Sequence, residues 1–150
     1  MAQGLALTRR IKMLDKINSE FKLDKVDLRS YSPLALAFIG DSIFAAVVKT
    51  VIIERGNCQG SKLHQYSAHI VKAESQALMY DKWQDILSED ELSVMRRGHN
   101  AKSANSAKHA SLKEYHKATG VEALIGYLFL KGDEDRICEL IHMGISLIEA

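Results

Sequence analysis

Apolar residues recur every three to four positions along almost the whole chain, and nowhere does strict alternation persist between turn residues. That spacing belongs to amphipathic helices, so the chain reads as all-α. A first helix is expected over about 6–21, where Leu7, Ile11, Leu14, Ile17 and Phe21 make one stripe; it reads as a surface-packed extension. A polar connector follows over 22–32. Ser32 then offers an N-cap and Pro33, the single proline, a first helical position. The helix they start runs to about residue 54 and ends at Gly56 and Asn57. After a loop to Gly60 and Ser61 comes a helix with Leu63, Tyr66, Ile70 and Val71, and then one over about 73–87 with Ala77, Leu78, Tyr80, Trp83 and Ile86 to bury. Phe44, Tyr80 and Trp83 are expected in the core. Ser88 and Glu91 spell a capping box for a short helix ending at Gly98. Residues 99–110, polar, small and basic, read as a loop. Ser111 opens a long helix through residue 130, closed by Gly132, and Asp133 caps a last one over about 135–148.

Two of these helices carry an anomaly. Asp41 is the only charged side chain between Pro33 and Val48, and Glu122 the only one between Val121 and Leu130. An ionised carboxylate in low-dielectric surroundings costs several kcal/mol unless a cation, a metal or hydrogen-bond donors offset it, so each is expected to face something. A single such acid is more often paired with a lysine or used as a cap. Two of them, each near a small residue that lets helices approach (Gly40, Gly126), give a shared metal equal standing. Magnesium suits such a site, because it takes oxygen ligands, retains waters and needs only one or two carboxylates beside a substrate phosphate.

The length of 150 residues and 47% hydrophobic content fit one average domain with a single core. Net charge is +1, from 20 basic and 19 acidic residues, which points to no class of partner. Its distribution is uneven. Residues 95–117 hold six Lys or Arg against Glu114 alone, and the remainder is left at −4. A basic segment on an acidic body is an electrostatic footprint for a polyanion, although a solvated face is the commoner origin of such a run. Cys58 and Cys138 lie 80 residues apart and form neither a disulfide framework nor a zinc pattern. No signal-peptide core follows Arg9, Arg10 and Lys12, and no run approaches 18 consecutive apolar residues. A cytoplasmic protein without a membrane segment is therefore expected.

The local sequences go further. Ala35-Leu36-Ala37-Phe38-Ile39-Gly40-Asp41 resembles the ribonuclease III signature, and Glu122-Ala123-Leu124-Ile125-Gly126 with Tyr127 and Leu128 resembles that family's second acidic motif. Their order and separation of about 80 residues make the pair far more specific than either alone. The segment from Met95 to Ser103 and the short chain resemble the Mini-III branch, which lacks a double-stranded-RNA-binding domain. The resemblance covers roughly 32–144 and divides the chain into an extension and connector over 1–31 and a ribonuclease III-like domain over 32–150.

The resemblance implies an all-α ribonuclease III endonuclease domain acting as a homodimer, with Phe38 inserting into the partner. It implies Mg²⁺-dependent cleavage of double-stranded RNA, with the large-subunit ribosomal RNA precursor as substrate and a ribosomal protein on it as a further partner. Asp41 and Glu122 would be the catalytic and metal-holding acids. A-form RNA is recognised through shape, phosphates and 2′-hydroxyls, and Arg96, Arg97, Asn100, Lys102 and Ser103 are the leading candidates for those contacts; for Lys108, Lys113, Lys117, His64 and Gln65 ordinary solvation is the better account. The chain departs from larger family members at two positions, with Ala37 and Thr119 where they carry acids. Thr119 suits a core hydroxyl better than a hydrogen bond to a metal-bound water. The competing function is a catalytically silent ribonuclease III-fold module that binds structured ribosomal RNA. Glu139 and His142 have di-iron spacing but no second copy, and surface placement is expected for both.

Overall fold

Ser32 accepts a hydrogen bond from the Ala35 amide at 3.1 Å, and with Pro33 in the first turn it launches the helix that organises the fold. The structure is a computed structural model and describes residues 11–56, 58–101 and 111–150. Among these it contains seven α-helices and no strand: α1 (Met13–Glu20), α2 (Pro33–Glu54), α3 (Gly60–Val71), α4 (Ala73–Trp83), α5 (Glu89–Asn100), α6 (Leu112–Lys131) and α7 (Glu134–Glu149). A 3₁₀ turn, Leu28–Ser30, lies in the connector before α2.

The central helix is α6. Its start is fixed by a reciprocal capping box between Ser111 and Glu114, and its end by Gly132 at φ 84°, a left-handed position that favours glycine. α2, α5 and α4 pack around it, and α7 closes the remaining side. Phe44, Val48, Ile70, Met79, Trp83, Met95, Val121, Leu124, Ile125, Leu128, Leu140 and Ile141 are fully buried between these helices. Phe44, Tyr80 and Trp83 are core residues as expected, whereas Leu78 and Ile86 are exposed on the outer side of α4 and beyond its end.

Three boundaries differ from the sequence reading. The first helix begins at Met13, because Lys12 is extended; the part of the expected helix before residue 11 lies outside the described residues. Among the described residues of its apolar stripe only Leu14 reaches the core, while Ile11, Ile17 and Phe21 are exposed. α4 stops at Trp83, whose carbonyl accepts from the Ile86 and Leu87 amides in a turn. Helix α5 continues to Asn100, because Gly98 packs rather than terminates: a methyl group there would lie 2.7 Å from the Ala123 Cβ.

α2 is long and apolar enough by composition to cross a membrane, although no run of 18 apolar residues exists. Its inner side is instead packed along α6, with Leu36, Ala37, Gly40, Phe44, Val48 and Ile52 buried.

A buried ion pair ties α5 to α7. The Arg136 Nε donates to Glu91 Oε2 at 2.8 Å and its Nη2 to Glu91 Oε1 at 3.0 Å, while Nη2 also reaches the Ile86 carbonyl. Glu91 is 8% exposed and also accepts from the Ser88 amide, so its charge depends on these donors. Burial pushes the Glu91 carboxyl up, but Arg136 and Ser88 together hold it below the usual range. Removing one partner strands a buried charge, which costs about 3–5 kcal/mol. Arg136→Met is therefore expected to lower the thermal midpoint by roughly 10 °C. A calorimetric scan within 2 °C of the parent protein would contradict this account.

Candidate active site

Two glycines bring the two acids together. A Cβ on Gly40 would overlap the Glu122 carbonyl oxygen, and one on Gly126 would overlap the Leu36 carbonyl oxygen. The α2 and α6 backbones therefore touch at this crossing, which only glycine permits. Asp41 follows Gly40 and Glu122 precedes Gly126 by one turn, so backbone contact delivers one carboxylate from each helix to the same place.

Their environments are unequal, and the sequence-based expectation requires correction here. Asp41 is exposed to solvent, so its lone position in an apolar helix is not an energetic anomaly. Part of the apolar character of α2 is also exposed: Leu34 and Phe38 lie at the surface, Phe38 with 83% of its area accessible. Glu122 is the strained acid. Burial first, and the negative charge of Asp41 second, push its carboxyl up to about 7, against a weaker opposing hydrogen bond from Gln76. Among the described residues neither acid has a cationic partner.

The donor set suits a hard divalent cation. One ion between the carboxylates would relieve both causes of the Glu122 shift, and inverting local pKa logic in this way is what bound cations do. No cluster of three or more His, Cys, Asp or Glu side chains exists among the described residues. A site with two protein carboxylates leaves the remaining positions to water and phosphate, as magnesium prefers and as a closed zinc site does not.

The departures from the larger family members are core positions in this chain. Ala37 is 6% exposed in an apolar cluster with Leu36, Val94 and Ala123. Thr119 is 7% exposed, and its hydroxyl donates to the Tyr115 carbonyl at 3.0 Å. Neither side chain is placed to replace a missing acid.

Of the expected RNA contacts, Arg96, Arg97 and Asn100 are exposed on the last turns of α5, with neither arginine in an ion pair among the described residues. The packing of Gly98 on Ala123 and Gly120 sets this basic end beside the turn of α6 that carries Glu122. Lys102 and Ser103 lie outside the described residues. Lys117 is paired with Asp81 at 2.7 Å, and His64 and Gln65 are exposed on α3. Glu139 is exposed and held by Arg136, and His142 is exposed, so their spacing marks no metal centre.

Gln76 is the residue that sequence reasoning missed. It is 3% exposed on α4, and its Nε2 donates to the Val71 carbonyl at 2.8 Å and to Glu122 Oε1 at 3.3 Å. The signal available was a glutamine among alanines in a helix whose neighbours Ala77 and Tyr80 were expected to be buried. A cavity of about 930 Å³ between α1, the connector and the end of α6 is lined by Lys12, Tyr31 and Lys131 among others and includes neither acid.

Comparison with known proteins agrees with this geometry. Residues 34–133 match the family model described as the ribonuclease III domain. The chain is 40% identical over 127 residues to the Mini-ribonuclease 3 of Clostridium tetani, covering 83% of each chain. It is 41% identical over 118 residues to that of Brevibacillus brevis, covering 79% of this chain and 88% of the relative. Identity to that of Staphylococcus aureus is 35% over 123 residues, covering 81% and 92%. A crystal structure of a Fusobacterium nucleatum protein aligns with a TM-score of 0.72 at 32% identity, covering 80% of this chain and 96% of that one.

Proposed function

The chain belongs to the ribonuclease III family, and from that premise we propose that Asp41 and Glu122 are the catalytic pair of this endoribonuclease, holding Mg²⁺ against the scissile phosphate. The enzyme class cleaves double-stranded RNA with a divalent metal; the choice of magnesium rests on the two-carboxylate, oxygen-only donor set. The observation that carries the site assignment is the crossing at Gly40 and Gly126, which presents a half-buried acid and an exposed acid together, neither with a cationic partner among the described residues.

When bound, the ion would supply a nucleophilic hydroxide near neutral pH and draw charge from the phosphate. Glu122 fixes one direction of approach because its helix is buried on nearly every side. Asp41, open to solvent, can meet a phosphate arriving on RNA. Arg96, Arg97 and Asn100 would contact the duplex backbone; Lys102 and Ser103, proposed for the same role, lie outside the described residues. The substrate we favour is the precursor of large-subunit ribosomal RNA, with a ribosomal protein on that RNA as a proposed partner and the cytoplasm as the compartment. Purified protein should cut a duplex RNA with Mg²⁺ and leave it intact in chelator; equal cutting of single-stranded RNA, or cutting without metal, would overturn this reading.

The exposed Phe38 supports a homodimer in which two copies share one duplex groove and each cuts one strand. Leu34, 39% exposed one turn earlier, extends the apolar patch. A central aromatic anchor contributes about 2 kcal/mol or more to an interface. Phe38→Glu is therefore expected to weaken self-association at least 30-fold and to give a folded monomer in sedimentation analysis, with duplex cleavage reduced. An unchanged dimer would contradict the assignment, as would a parent protein that is monomeric.

A further inference from the structure

The Val71 carbonyl, at the end of α3, can only accept, so it fixes which end of the Gln76 amide points toward it. Nε2 must face Val71, and the second hydrogen of that nitrogen is then the one directed at Glu122 Oε1. A residue that served only to satisfy the end of α3 would need one donor. Gln76 uses both, on two different helices, from a position 3% exposed. Its Oε1 is buried and has no hydrogen-bond partner among the described residues, although it shares a carbon with the nitrogen that touches Glu122. Buried polar atoms are seldom left unpaired, so this one marks a place where an acceptor is wanted beside the carboxylate.

We propose that Gln76 is a positioning residue of the ion site. It holds Glu122 Oε1 against the α3–α4 junction, which would leave the other carboxylate oxygen for an ion, and its own unpaired Oε1 would accept from water at that ion. This inference rests on the reading of Asp41 and Glu122 as the metal-holding pair. It adds a neutral amide to a site that acids alone did not describe. Residues that orient metal ligands by hydrogen bonding typically change metal affinity 10–100-fold when removed.

Methionine has nearly the length and volume of glutamine but neither donates to Glu122 nor accepts strongly, so Gln76→Met isolates the hydrogen bonds. Mn²⁺ titration of the RNA-free protein, followed by water-proton relaxation, should show at least tenfold weaker binding in Gln76→Met. Cleavage lost at limiting Mg²⁺ should recover at saturating Mg²⁺. In the parent protein, Mg²⁺ should shift the side-chain amide resonances of Gln76, a measurement that decides the matter if the variant does not fold. Gln76→Met affinity within twofold of the parent, or unmoved Gln76 amide resonances, would overturn the proposal. Glu122→Gln in the same titration separates the two levels: weak binding there with normal binding in Gln76→Met defeats only the positioning role, whereas parent-like binding in Glu122→Gln defeats the ion site and the proposal with it.

Discussion

Replacing Gly40 or Gly126 by alanine is expected to unfold much of the protein at 37 °C, although the change adds one methyl group to each molecule. At both positions that methyl would overlap a backbone carbonyl oxygen on the facing helix, Glu122 for Gly40 and Leu36 for Gly126. A flexible side chain could turn aside, but a carbonyl inside a helix cannot. The only relief is for α2 and α6 to separate along their whole length, and this is the most extensive helix pairing in the molecule. Overpacking commonly costs 1–3 kcal/mol and more where nothing can yield. A loss of about 3 kcal/mol or more is a large share of the 5–15 kcal/mol that holds a domain folded. Thermal midpoints should fall by roughly 10 °C. Any folded fraction should also cleave poorly, since separation moves Asp41 away from Glu122. Gly56 provides the control: it has open space around it, but its φ of 144° makes alanine strained there for a different, local reason. Its substitution should lower stability without touching the crossing of α2 and α6.

Glu122→Gln is expected to abolish cleavage, by roughly 10³-fold or more, while making the metal-free protein more stable at neutral pH. The second effect follows from the raised carboxyl. In the unfolded chain Glu122 titrates near the usual glutamate value of 4.5, whereas in the folded protein it holds its proton up to about 7. Between those values the native state binds more protons than the unfolded state, so stability falls as pH rises. The loss is complete above the folded value and absent below the unfolded one. Glutamine carries no charge and escapes it. In chelator, the variant and parent should unfold alike near pH 4.5, and the variant should lead by on the order of 1–3 kcal/mol at pH 8. Adding Mg²⁺ should narrow that lead by stabilising the parent alone. A variant that is less stable than the parent at pH 8 would show that Glu122 is not held at a cost to the fold.

Such a cost falls on one acid only, whereas the sequence identified both helices and both acids but led to the same expected confinement for each. Ser32, Ser111 and Gly132 announce the ends of α2 and α6 because capping chemistry is local. Gly40 and Gly126 were legible as close-approach positions for the same reason: a glycine in an apolar helix needs a neighbour to justify it. Exposure is not local. Apolar periodicity cannot say which side of α2 the rest of the chain covers, and the outer side that bears Phe38 is left open in the single chain. Asp41 was therefore expected to be confined and is solvated, while Glu122, surrounded on α6, bears the desolvation. Gly98 was misread as a helix terminator because glycine serves both ends and contacts, and only the partner helix distinguishes them. Gln76 escaped altogether, since its meaning depends on two acceptors that are five and forty-six residues away.

Cleavage is proposed to depend on the Asp41 and Glu122 carboxylates meeting at one ion. Single-turnover cleavage of a duplex RNA by purified Asp41→Asn and Glu122→Gln at saturating Mg²⁺, alongside binding of the same duplex, tests it most directly. Both variants should be folded and bind the duplex as the parent does, and neither should cut. Undiminished Mg²⁺-dependent cutting by either one would contradict the account.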